Sequence, residues 1–272
     1  MIISQITSKK VTRFVANPSQ ALIIASADDV YNEKLAGHIA SLVLKADINS
    51  YAYYQKIIPK NNAIGIEQVR ELSEFLKLKV PSGKAINRVC VVLSAQKMTH
   101  EAQNALLKNL EEPNDKTLII LCTSNLTSLL PTITSRCQKL LVTFPGLDQL
   151  TKAHENFSKT EVEKAYNQAG GLPELTNAIL SSTDHPINEV TNLTKQFLSV
   201  SKFQRLILVN TFKEREVCRQ LAEMSMQVAR LGIKTGKDEK WQNIYQAAFQ
   251  AKEMLEANVQ SKLVMTKFSL SF

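Results

Sequence analysis

By type and setting, Arg136 is the residue of this chain best suited to chemistry. It follows Pro131-Thr132-Ile133-Thr134 and stands between Ser135 and Cys137. A guanidinium is always charged, and its planar fork can bridge two phosphate oxygens. Taken alone, Ser-Arg-Cys favours a surface arginine or a structural ion pair. Cys137 has no histidine near it in sequence to activate it as a nucleophile. The four histidines, His38, His100, His154 and His185, lack metal-ligand spacing, and no metal site is expected from them. The four cysteines, Cys90, Cys122, Cys137 and Cys218, form no CxxC pair, so reduced cytosolic thiols are the expectation.

The elements that must position Arg136 lie between Arg88 and Cys137. Val89-Cys90-Val91-Val92-Leu93 and Leu118-Ile119-Ile120-Leu121-Cys122 are short apolar runs, as expected of strands buried on both faces of a parallel sheet. The segment between them reads as a helix. Thr99 is its N-cap, Glu101 suits the positive end, and Ala102, Ala105, Leu106, Asn109 and Leu110 share one face. Pro113 stops it. Strand, helix and strand in this span make a βαβ crossover.

Upstream, Ala21-Leu22-Ile23-Ile24-Ala25 reads as the first buried strand and Leu35–Val43 as the helix after it. A nucleotide-binding fold places the phosphate loop G-x-x-x-x-G-K-[ST] between such elements. Anchored on Leu35-Ala36, the loop here is Ser26-Ala27-Asp28-Asp29-Val30-Tyr31-Asn32-Glu33-Lys34. Ser26, Asp29 and Tyr31 stand where glycine would allow close backbone approach to phosphate. Asn32 replaces the lysine and Glu33 the magnesium-binding hydroxyl, while Lys34 comes two positions late. Asp28, Asp29 and Glu33 oppose a polyanion, each like-charge approach at ~4 Å costing on the order of 1 kcal/mol even when well screened.

The wording of Glu101-Ala102-Gln103-Asn104-Ala105-Leu106-Leu107-Lys108-Asn109-Leu110-Glu111-Glu112-Pro113, followed by Ser135-Arg136-Cys137, resembles the EAxNALLKxLEEP and Ser-Arg-Cys motifs of bacterial DNA polymerase III clamp-loader subunits. Those subunits, of delta-prime and gamma/tau type, are AAA+ proteins. The resemblance implies an α/β AAA+ domain over 1–145, a small helical lid over 146–183 and an all-α collar domain over 184–272. It implies that Arg136 points into the ATP site of a neighbouring subunit as a trans arginine finger, an effect on the order of 10³–10⁵ in favourable systems.

The resemblance also sets what active members carry against what stands here. Leu93 and Ser94 occupy the place of an acidic pair, and Gln96 that of the next acid, leaving no carboxylate there for magnesium. Thr123 takes the place of a first sensor, and Gly170-Gly171-Leu172-Pro173-Glu174-Leu175 lacks the second sensor arginine. The stretch 45–62, where many relatives insert a four-cysteine zinc module, has no cysteine. Ile64–Leu72 resembles the IxIxxIRxL entry to a helix, and Ala257–Met265 the ANVNxxLxLE ending of collar domains. The implied protein is of delta-prime type: non-hydrolysing and without cofactor or metal. Its partners would be gamma/tau-type ATPase subunits and a delta-type subunit in a hetero-pentameric ring that loads the sliding clamp on primed DNA. A gamma/tau-type ATPase with an atypical loop and a stand-alone DNA-binding module are the alternatives.

Length and composition agree with this range. The 272 residues, 44% of them hydrophobic, hold two or three small domains. A net charge of +8 suits contact with nucleic acid without requiring it. No apolar stretch is long enough for a transmembrane helix and the N-terminus has no secretory pattern, so a cytoplasmic protein is expected. Past Phe144-Pro145-Gly146 the pattern predicts short helices over Leu147–Phe157, Ser158–Ala169 and Pro173–Leu180. Ser158 and Glu161 form a capping box there, and Gly170-Gly171 is a stop. A polar linker, 181–186, and helices from Ile187 onward complete the chain.

Overall fold

The computed structural model describes residues 1–80, 85–181, 183, 188–212, 214–235 and 239–272, with 188, 189, 231, 234 and 235 by backbone alone. The expected linker and the histidine at 185 fall largely outside these residues. The chain divides into two compact units, Met1–Ala153 and His154–Phe272.

The first unit opens with α1 (Gln5–Ala16), β1 (Ala21–Ala25) and α2 (Asp29–Leu44). It continues through β2 (Tyr54–Ile57), α3 (Ile66–Lys77), β3 (Arg88–Val92), a 3-10 turn at Ala95–Lys97 and α4 (His100–Glu111). β4 (Thr117–Thr123), a second 3-10 turn at Leu126–Ser128, α5 (Pro131–Arg136), β5 (Gln138–Leu141) and α6 (Leu147–Ala153) complete it. The five strands form one parallel sheet in the order β2-β3-β4-β1-β5.

The apolar runs of the sequence are the three inner strands. β3 and β4 are buried throughout, and β1 up to its last residue. Alternation sends Leu22, Ile24, Val89, Val91, Leu118 and Ile120 into a core that also holds residues of α1 and α2. It sends Ile23, Cys90, Val92, Ile119 and Leu121 into a second core shared with α3, α4 and Ile133 of α5. The expected N-cap of α4 is present: the Thr99 hydroxyl accepts from the backbone N–H of Ala102 at 3.2 Å.

Two strands and a helix had no clear sequence signal. β2 and β5 are edge strands with mixed polarity, Tyr-Gln-Lys-Ile and Gln-Lys-Leu-Leu, because one flank meets solvent. α1 is tied to the chain after β5 by the Ser4 and Thr7 hydroxyls, which donate to the Thr143 carbonyl at 2.6 and 2.9 Å.

The second unit is helical: α7 (Lys159–Gln168), α8 (Pro173–Ser181), α9 (Asn188–Ser199), α10 (Lys202–Val209), α11 (Arg215–Thr235), α12 (Glu239–Glu256) and α13 (Ser261–Leu270). The lid expected over 146–183 therefore straddles the division, with α6 in one unit and α7 and α8 in the other. The helix expected over Leu147–Phe157 ends at Ala153. The capping box of Ser158 and Glu161 forms, and Gly170 and Gly171 close α7 with φ of 62° and 81°. The Ala257–Met265 stretch, which resembles the ending of collar domains, is first a turn and then the start of α13. Asn258 has φ 64°, its N–H donates to the Leu255 carbonyl, and Val259 N–H donates to the Met254 carbonyl. This is a Schellman closure of α12 with asparagine in the left-handed position.

Leu106 of α4 is fully buried against the sheet. Leu106→Ala is expected to lower stability by about 2–5 kcal/mol through lost burial and a residual cavity, measured by urea unfolding followed by circular dichroism.

Candidate functional site

Arg136 is the last residue of α5, a six-residue helix that starts at Pro131. Ser135 and Arg136 are helical, since proline fits a first helical position and Ile133 anchors the turn in the core. Ser135 is exposed, its hydroxyl donating to the Thr132 carbonyl at 3.1 Å. Cys137 ends the helix with its side chain in the second core, and burial pushes its thiol up to about 11. It is a packing residue with little thiolate near neutral pH.

The Arg136 side chain keeps 37% of its surface exposed. Nη1 donates to the Thr132 carbonyl at 2.9 Å and Nη2 pairs with Glu111 Oε1 at 2.7 Å. Glu111 is the last residue of α4, so the ends of two helices meet at the guanidinium.

What aims α5 is a residue that the sequence reading passed over. Gln103, 5% exposed, lies on the buried side of α4. Its Nε2 donates to the Ser128 carbonyl at 3.1 Å and to Met98 O at 3.4 Å, and its Oε1 accepts from the Leu130 N–H at 2.8 Å. Leu130 is the N-cap of α5 and has no side-chain cap of its own. The available signal was a polar side chain at helical spacing from Leu106 and Leu110. Such a residue inside an apolar stripe must be hydrogen-bonded.

The segment aligned with a phosphate loop folds differently from the expectation. Only 26–28 connect β1 to α2; Asp29, Val30, Tyr31, Asn32 and Glu33 are already helical. The cause is local. Asp28 is an N-cap whose carboxylate accepts from the Tyr31 N–H at 3.0 Å, and Asp29 adds negative charge to the first turn. Tyr31 is fully buried, with its hydroxyl donating to the Ile2 carbonyl at 3.0 Å and its ring edge-on to Phe144. Asn32 is also fully buried. Its Nδ2 donates to the carbonyls of Ser26 at 3.1 Å and Thr123 at 3.3 Å, and its Oδ1 accepts from the Ser26 hydroxyl at 2.6 Å.

Asp29 Oδ2 accepts from the Ser94 hydroxyl and from Gln96 Nε2, both at 3.2 Å, and Gln96 Oε1 accepts from the Ser124 N–H. Leu93 is buried, 7% exposed. Glu33 pairs with Lys56 at 2.9 Å, and Lys34 is exposed one residue further along α2. The Thr123 hydroxyl is used within its own turn, donating to Asn125 O and accepting from Asn125 N. The structure thus brings Ser26, Asp29, Asn32, Ser94, Gln96 and Thr123 together at the carboxyl ends of β1, β3 and β4. Among the described residues no three His, Cys, Asp or Glu side chains cluster as a metal site.

A parallel sheet with this strand order, covered by helices on both faces and followed by a helical C-terminal region, is the α/β architecture expected of the AAA+ fold. The model of the family described as DNA polymerase III, delta subunit, matches residues 5–145, just over half of the 272-residue chain, and the chain belongs to that family. DNA polymerase III subunit delta' of Haemophilus influenzae is 32% identical over 155 residues, 57% of this chain and 44% of that protein. The Pseudomonas aeruginosa subunit delta' is 34% identical over 114 residues, 40% of this chain and 34% of that protein. The Bacillus subtilis subunit delta' is 41% identical over 83 residues, 30% of this chain and 24% of that protein. The chain spans less than half the length of these relatives. Among solved structures, a Thermotoga maritima DNA polymerase III gamma subunit-related protein superposes with TM-score 0.55 at 20% identity, covering 96% of both chains. The RuvB protein of Thermotoga maritima follows with TM-score 0.50 at 12% identity, covering 73% of this chain and 63% of that one.

Gln103→Leu removes the partner of the Leu130 N–H, and a loss of about 1–3 kcal/mol is expected from the orphaned group, read by chemical denaturation of the variant.

Proposed function

We propose that this chain acts as a non-hydrolysing, delta-prime-type subunit of a DNA polymerase III clamp loader. In this reading Arg136 is donated in trans to the ATP site of a neighbouring gamma/tau-type subunit. The neighbour, a delta-type subunit and this chain belong to one hetero-pentameric ring that loads the sliding clamp on primed DNA in the cytoplasm. Residues 1–145 are the degenerate nucleotide-binding domain, 146–183 the lid and 184–272 the collar that joins the ring.

The observation that carries this reading is the contrast between two places on one sheet. At α2, buried Asn32 is bonded to the Ser26 and Thr123 carbonyls at the strand ends, and Asp28 and Asp29 put carboxylates at the helix N-terminus a phosphate would use. At α5, a guanidinium stands at a helix end, more than a third exposed. A cation of that kind stabilises charge developing on a transferring phosphoryl group when a neighbour brings one to it.

The test is co-purification with the presumed ATPase subunit. Arg136→Ala is expected to lower ATP turnover at the receiving site by on the order of 10³-fold while the complex still assembles. Unchanged turnover in an intact complex rejects the role of Arg136. Calorimetric titration of the isolated chain with magnesium and ATP is expected to show no saturable heat; micromolar affinity would instead favour a gamma-type ATPase with an unusual loop. Steep salt-dependent binding of primed DNA by the isolated chain would favour a stand-alone DNA-binding module.

A further inference from the structure

We propose that Glu111 is a positioning residue for Arg136, fixing the guanidinium for delivery while leaving most of its donors to the incoming phosphate. The inference rests on the reading of Arg136 as a trans-acting cation and adds the residue that aims it.

The geometry is direct. An arginine side chain has many rotamers, and an exposed one has little to hold it. Here two protein oxygens hold it from two different helices: Thr132 O in α5 engages Nη1, and Glu111 Oε1 at the end of α4 engages Nη2. A guanidinium has five N–H donors. One bond at each terminal nitrogen leaves three donors, and the side chain is 37% exposed. The remaining fork can still meet phosphate oxygens in the paired geometry that arginine favours.

The Thr132 carbonyl belongs to the second residue of the six-residue helix and also accepts from the Ser135 hydroxyl at 3.1 Å. The carboxylate comes from the element that Gln103 already couples to the start of α5. α4 thus fixes α5 at both ends, through Gln103 at its N-cap, Leu130, and through Glu111 at its last residue, Arg136. A carboxylate is the suited second anchor: it offers a charge-assisted bond without competing for the carbonyl, and it keeps the cation in place before assembly.

Magnesium–ATP turnover of the assembled complex tests this, with Glu111→Ala and Glu111→Gln made alone and with Arg136→Ala. Glu111→Ala is expected to lower kcat about two- to five-fold, the size of effect an exposed ion pair carries. KM and the affinity of assembly should be unchanged. Glu111→Gln, whose amide oxygen still accepts from Nη2, should recover most of the rate. On the Arg136→Ala background, Glu111→Ala should change nothing further. A wild-type or raised rate for Glu111→Ala overturns the proposal, as does an equal loss in both backgrounds, which would mark Glu111 as a structural residue or a competitor of the phosphate. Failure of the trans reading is separately visible, because Arg136→Ala alone would then leave turnover unchanged.

Discussion

The first turn of α2 closes on the carboxyl ends of β1 and β4, and much of the first unit depends on how it does so. In open parallel sheets that edge is where ligands bind. Here the Asn32 side chain is hydrogen-bonded to the backbone just beyond β1 and at the end of β4, and Tyr31 reaches back to Ile2. The helix starts early because Asp28 caps it, and the early start is what brings these side chains to the sheet edge. Asp29 then ties the same turn to Ser94 and Gln96 beyond β3. The strand ends are held to one another by the protein's own polar groups, in the place where other members of the fold would present backbone to a ligand.

The arginines of the molecule separate by what they hold. Buried Arg88 donates to the carbonyls of Leu76 and Leu78, closing the end of α3. Arg205 donates to the carbonyls of Val200, Ser269 and Phe272 and stacks over the Phe272 ring at 4.0 Å. Arg215 satisfies Leu255 O and Val259 O at the end of α12. These three satisfy backbone acceptors that helix termini would leave open. Arg136 instead divides its fork between one carbonyl and one carboxylate and keeps a wide face to solvent.

Position, more than residue type, gives Arg136 its candidacy. α4 packs Leu106 and Leu110 against the sheet, Gln103 fixes the N-cap of α5, and Ile133 seats that helix in the same core. The packed core therefore extends to both sides of Arg136, through Ile133 before it and Cys137 after it. A side chain placed by a packed scaffold loses little freedom when it meets its target, which is what an electrostatic role in catalysis requires.

The sequence by itself determined the inner strands, the crossover helix with its Thr99 cap, the Ser158–Glu161 capping box and the glycine stop after α7. Each is a local matter: apolar runs, helical period and capping chemistry act within a few residues. It also exposed the substitutions at 26–33 and 93–94, because a phosphate loop is a contiguous pattern of residue types. Only the tertiary structure decided that Tyr31 and Asn32 are buried at the sheet edge, that the edge strands β2 and β5 exist, and that Gln103 and Glu111 meet α5. Edge strands carry no strong alternation since half their surroundings are solvent. Gln103 and Leu130 are 27 residues apart, and Glu111 and Arg136 pair across β4. Contacts of that separation are set by how the helices pack on the sheet, which no local window of sequence contains.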